Sequence, residues 1–253
     1  MPHGSVPLIA EPEDRLTAWI CQCLARTGYA ARTVGQPTTR PALVSSGLPA
    51  AAGMDLWRLS TPERHAALDV LETQLPVACP LLVRCEALPV DVVASWAARP
   101  TRVVGFSAFG APRDGMLVEV VPATRASPEA VRRATMFLES LGFQVRALPV
   151  GSWPIFPRMT ALVINEAALA IGAGTATAAD IDQAIKLGTH EPEGPLALAD
   201  RIGLTEILDI LEGLHAEYGD ERYYPAPLLR RLVRAGDTGH AAGRGFHPYD
   251  QPS

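Results

Sequence analysis

Cysteine is scarce in this chain. Four thiols, Cys21, Cys23, Cys79 and Cys85, are spread through 253 residues. Cys21 and Cys23 stand two apart on a predicted helix, where side chains diverge, and no His lies beside them. They suit neither a disulfide nor a zinc pair, so reduced, buried thiols in a cytosolic protein are expected. A basic stripe is also missing: the net charge is −5 and spread along the chain. That argues against a nucleic-acid or acidic-membrane partner. The N-terminus, MPHGSVPLIAEPEDR, has neither a basic start nor a long apolar run, which argues against a signal peptide. Other apolar runs are interrupted short of a membrane span, so no membrane partner and a cytoplasmic location are expected.

Hydrophobic residues make up 48% of the chain, enough for one large core or two modest ones. Residues 6–9 read as a strand, 16–25 as an amphipathic helix and 30–34 as a second strand. Strand, helix, strand is how a dinucleotide-binding domain begins. Its first turn should carry Gly-x-Gly-x-x-Gly, so that backbone N–H groups approach a pyrophosphate. Here the turn is Ala10-Glu11-Pro12-Glu13-Asp14-Arg15, with no glycine. Pro12 lacks an N–H, and three carboxylates would repel the phosphates. The same acids suit a helix N-terminus, where they offset the macrodipole. A ribose-binding acid is expected about 20 residues after such a turn. Between Arg15 and Met54 there is no Asp or Glu. These residues predict no bound cofactor, no cofactor-binding side chain and no metal.

The strand and helix pattern continues. Residues 36–53 read as a trimmed, irregular connection rich in Pro, Ala and Ser, and residues 54–60 as a strand. A helix is predicted over 61–75, with Thr61 as N-cap and Pro62 at its first position. Strands follow at 79–85, 102–106, 116–121 and 143–148. Helices fall at 88–97 and from Ser127-Pro128-Glu129 to Leu141. After a crossing at 149–157 the pattern becomes helical. Residues 159–171 form a long apolar helix expected in a dimer or domain core. Ile181, Ala184, Ile185 and Leu187 give one stripe that Gly188 should end. Pro192, Gly194 and Pro195 turn the chain, and a second stripe runs from Leu196 to Leu211.

Four motifs in this half, IDQAIKLG, EGPLALADRIGL, RYYPAPLLRRLV and AAGRGF, occur in that order between Ile181 and Phe246. Together they resemble the C-terminal domain of the 3-hydroxyacyl-CoA dehydrogenases, and the resemblance extends back to about Arg102. It implies a shortened Rossmann-like α/β domain at 1–150 and an all-α dimerisation and substrate domain at 151–253. It also implies NAD-dependent oxidation of a 3-hydroxyacyl-CoA.

The family's base is a His, with a Glu twelve residues later that orients it. The family pattern is similar to G-L-H-F-F-N-P followed by L-V-E-V-V. This chain reads Gly105-Phe106-Ser107-Ala108-Phe109-Gly110-Ala111, then Leu117-Val118-Glu119-Val120-Val121. Glu119 is kept as the catalytic candidate, and Ser107 replaces the His. A serine hydroxyl titrates far above neutral pH and cannot act unaided as the base. The family's asparagine aligns with Pro157, before Arg158. Its Ser/Asn-rich loop aligns with Val83-Arg84-Cys85-Glu86-Ala87-Leu88-Pro89. Ser107 and Arg158 remain as substrate-binding candidates. Cys85 has no base beside it. His190, His215, His240 and His247 are assigned surface or capping roles.

The chain is thus identified as a member of the family with impaired or no NAD-dependent oxidation, and with an acyl-CoA-binding or subunit role. It is expected to form a homodimer, or a heterodimer with an intact paralogue. One alternative is an active oxidoreductase on an atypical 3-hydroxyacyl-CoA, with Ser107, Glu119 and a water replacing the base. Another is a non-catalytic scaffold that binds no small molecule.

Overall fold

The computed structural model describes residues 4–10, 15–33, 51–110 and 113–249. The chain divides into two compact units, residues 1–154 and 155–253. In the first, strands β1 (Gly4–Ile9), β2 (Tyr29–Thr33), β3 (Gly53–Asp55), β4 (Leu81–Arg84), β5 (Val103–Ser107), β6 (Leu117–Pro122) and β7 (Gln144–Ala147) form one sheet. Its order is β2-β1-β3-β4-β5-β6-β7. Pairs from β2 to β5 are parallel, β6 runs antiparallel to β5, and β7 is parallel to β6.

Helices α1 (Arg15–Arg26), α2 (Pro62–Thr73), α3 (Val90–Trp96) and α4 (Pro128–Ser140) cover the sheet. Parallel strands buried on both faces read as apolar runs, as Leu81-Leu82-Val83 of β4 does. Ile20, Leu24, Phe137 and Leu138 pack with Val6, Leu8, Val104 and Val120 on one face. Leu68, Leu71 and Val93 pack with Ile9, Val83, Val103 and Val121 on the other. Two helix starts are fixed by side-chain caps. Thr61 accepts from the Arg64 N–H, and Ser127 from the Ala130 N–H. Each such cap contributes about 1 kcal/mol. The strand expected over 54–60 is short: Leu56 donates to the Ile9 carbonyl, and the Asp55 side chain then accepts from the Trp57 N–H and turns the chain. The connection read at 36–53 lies mostly outside the described residues.

The second unit holds α5 (Ile155–Gly172), α6 (Ala178–Thr189), α7 (Pro195–Ile202), α8 (Leu204–Tyr218) and α9 (Pro227–Ala235). α5 packs against α7, α8 and α9. With 18 residues and a mean hydropathy of 1.3 it passes the length and composition test for a membrane span, the one such helix among the described residues. Its Asn165 is committed to the fold: it donates to the Tyr224 carbonyl and accepts from the Ala226 N–H.

Two sequence expectations shift by a few residues. α6 runs past Gly188 to Thr189, and His190, in the left-handed region at φ 60°, is the residue that ends it. The single stripe from Leu196 to Leu211 is two helices. Gly203, at φ 112°, breaks it, because Leu204 donates to the Thr238 carbonyl instead of continuing the helical ladder.

Candidate functional site

The carboxyl ends of the parallel strands form one edge of the first unit. Strand order reverses about β1, with β2 on one side and β3 on the other. Doubly wound sheets take their ligands at such a switch point. Asp55 ends β3 and is fully buried. Its carboxylate is 2.8 Å from the equally buried Arg64 guanidinium of α2, which also donates to the Leu59 carbonyl. Arg84, the last residue of β4, and Glu86 just beyond it, each 2% exposed, form an ion pair at 2.9 Å.

Ser107 ends β5 and is paired in register with Glu119 of β6. Directly opposed residues of an antiparallel pair present their side chains to one face with Cβ atoms about 5 Å apart. Alternation puts both on the face of Val103 and Val121, under α2 and α3. Ser107 is 2% exposed and Glu119 5%. The Ser107 hydroxyl has no hydrogen-bond partner among the described residues. The edge therefore carries a buried hydroxyl without a partner beside a buried carboxylate. A hydroxyl can relay a proton between neighbours, and a carboxylate can accept one.

Cys85 is fully buried and donates its thiol to the Phe106 carbonyl. Burial, and then the Glu86 and Glu119 carboxylates, push that thiol well above its ordinary range. It is not a nucleophile at neutral pH.

The remaining site candidate, Arg158, belongs to the second unit. It donates to the Tyr223 hydroxyl, and its guanidinium lies 4.9 Å from the Tyr218 ring and 5.2 Å from the Tyr223 ring. Those contacts hold it against α8 and the following turn. His247 is not a surface residue in role: its Nε2 is 2.8 Å from Asp182, whose carboxylate also accepts from the Leu196 and Ala197 N–H groups. Three buried ion pairs, Asp55–Arg64, Arg84–Glu86 and Glu72–Arg102, escaped the sequence reading. Arg84 and Glu86 were the most legible of them: opposite charges two apart at the end of an apolar strand share a face.

A mostly parallel, doubly wound unit followed by a helical unit is the architecture of the Rossmann-like proteins, whose ligands lie at the strand ends. Comparison with known proteins narrows the class. Residues 155–249 match the family described as 3-hydroxyacyl-CoA dehydrogenase, C-terminal domain. A Bacillus subtilis protein described as a probable 3-hydroxybutyryl-CoA dehydrogenase is 36% identical over 214 residues, 82% of this chain and 74% of that protein. The 3-hydroxybutyryl-CoA dehydrogenase of Clostridioides difficile is 35% identical over 173 residues, 68% of this chain and 61% of that protein. The crystal structure of (S)-3-hydroxybutyryl-CoA dehydrogenase from Ralstonia eutropha superposes with a TM-score of 0.81 at 22% identity. It covers 98% of this chain and 99% of the other, a likeness of fold. The chain belongs to the 3-hydroxyacyl-CoA dehydrogenase family.

That membership corrects the expectation of no cofactor. A dehydrogenase needs a hydride acceptor, and NAD is the one this family implies. The sheet fits it, since the switch point between β2, β1 and β3 is formed. The expectation of none rested on a first turn without glycine, on the N–H that Pro12 lacks, on three carboxylates there and on the absence of an acid between Arg15 and Met54; residues 11–14 and 34–50 lie outside the described residues. The position of a dinucleotide crevice is set by strand order, a tertiary feature that the residues of the first turn do not report.

Proposed function

We propose that this protein is a 3-hydroxyacyl-CoA dehydrogenase relative in fatty-acid and acyl-CoA metabolism, that it holds a 3-hydroxyacyl-CoA, and that its own oxidation step is slow. The observation that carries this is the Ser107–Glu119 pair at the strand edge, where the family pattern puts a His beside the Glu. Oxidising a secondary alcohol takes a proton from the hydroxyl and a hydride from the carbon. NAD, when bound, supplies the hydride acceptor. The proton has to go to this chain. Ser107 can pass it on but cannot keep it, so the step loses most of the 10²- to 10⁴-fold that a positioned base contributes.

A second reading is favoured by one observation. Glu119 stands directly across from Ser107 and is itself a base. With a water or Ser107 as relay it would take the proton, and the protein would be a working oxidoreductase on an atypical 3-hydroxyacyl-CoA.

Ser107→His separates the two. Formation of NADH from 3-hydroxybutyryl-CoA is followed with both proteins. The first reading expects kcat/KM to rise by about 10²-fold or more in the variant. The second expects a substantial rate in the unaltered protein that Glu119→Gln abolishes. Nicotinamide fluorescence should show NADH bound by the unaltered protein. A thermal shift with acetoacetyl-CoA tests the ligand: no shift there would leave only a scaffold role.

Self-association completes the proposal, as a homodimer or with an intact paralogue. Ile155, Phe156, Met159, Val163 and Leu169 leave an exposed apolar stripe on α5. Stripes of this kind are covered by partners more often than left in water.

A further inference from the structure

The Ser107 corner is held from outside its own strand. Cys85 donates its N–H to the Phe106 carbonyl at 3.2 Å, and its thiol to the same oxygen at 3.4 Å. Glu86 Oε1 accepts the Ala108 N–H at 3.1 Å, while Oε2 accepts from Arg84 Nε at 2.9 Å. These bonds land on the residue before Ser107 and the residue after it. The carboxylate and guanidinium are both 2% exposed.

A buried ion pair is a poor way to gain stability. Apolar side chains of similar volume are often as stable or more so. What the pair adds is direction. One carboxylate is shared between a guanidinium, which fixes it, and a backbone N–H next to Ser107, which it fixes in turn. Arg84 and Glu86 do not belong to the reacting pair of side chains, so any effect on it runs through the backbone.

We propose that Glu86, fixed by Arg84, is a positioning residue for the Ser107 corner: it sets where residue 107 stands against Glu119 and hence where a ligand's hydroxyl oxygen is held. This rests on the reading of the Ser107–Glu119 edge as the reacting site.

The test uses two double variants in the Ser107→His background. Arg84→Met with Glu86→Gln removes both charges and keeps an acceptor for the Ala108 N–H. Arg84→Leu with Glu86→Leu removes both charges and the acceptor. The charge change is the same, so a difference between them reports the hydrogen bond. The first keeps the acceptor but loses the hold of Arg84, so its kcat should lie between that of Ser107→His and that of the second. The second should lower kcat by about 10- to 100-fold with KM for the acyl-CoA unchanged. An NMR titration of the imidazole installed at 107 should be displaced less in the first than in the second. Identical titrations and turnover for both double variants would overturn the proposal. If Ser107→His has no turnover, the functional reading fails, and the titration still decides the positioning role. If Ser107→His does not fold, Ser107→Cys takes its place. Its extra thiol is titrated at 240 nm against the four native ones, with the same expected and contrary results.

Discussion

Arg64 spans from α2 to the end of β3, and its charge sits beside Asp55 with no solvent on either. Removing one partner leaves the other buried and uncompensated. Asp55→Ala should therefore cost about 3–5 kcal/mol, read as a fall in denaturant midpoint, whereas replacing both partners by apolar residues should cost much less. Thiol chemistry is set by burial in the same way. Cys79 is pushed up to about 11, chiefly by burial, and Cys85 well beyond its ordinary range. Neither should react with a disulfide reagent at pH 7 until the protein is unfolded, which mass spectrometry of the labelled peptides would show. At this scale the spacing from Ser107 to Glu119 was readable, because one strand pair carries both residues. The partners of Arg64 were not. Asp55 lies nine residues earlier, on a strand whose end is turned by its own side chain.

Elements α6 and α7 are tied to the last described residues by two buried carboxylates. Asp200 accepts from the Phe246 and His247 N–H groups and from the Tyr249 hydroxyl, at 2.8–3.0 Å. The approach is so close that a Cβ on Gly245 would lie 1.9 Å from the Asp200 carboxylate. Gly245→Ala should therefore displace the segment from 239 to 249 and lower the melting temperature by several degrees. Burial raises the Asp200 carboxyl above its ordinary range, and the bonds from His247, Phe246 and Tyr249 only partly offset that. A raised value in the fold means that the folded protein holds this proton more tightly than the unfolded chain. The contribution is fully present below the unfolded value and is lost as pH rises through the folded one. The stability of the unaltered protein minus that of Asp200→Asn should thus increase as pH is lowered through the carboxylate range, in urea titrations at several pH values. The motifs AAGRGF and EGPLALADRIGL were legible as motifs. That the glycine of one fits the aspartate of the other was not, since about 45 residues separate them.

Across the whole molecule the sheet and the helical unit have separate cores, and the family match falls on the second, at residues 155–249. The α5 stripe gathers five of the second unit's exposed large apolar side chains on one helix. If a second copy covers it, Met159→Lys with Val163→Lys should convert the protein to a monomer in size-exclusion chromatography with light scattering. An unchanged mass, or a monomeric parent, would remove α5 from the interface.

What the sequence determined by itself was the order of elements and the family. Strand and helix periods, the caps at Thr61 and Ser127 and the four motifs after Ile181 are local, and local interactions write themselves into adjacent residues. The tertiary structure decided what is non-local: the break of the second stripe at Gly203, the pairing of Arg64 with Asp55, the grip of Glu86 on the Ala108 N–H, and the strand order that sets the switch point. Each depends on which strand or segment lies beside which, and buried charge has to find its partner there rather than along the chain.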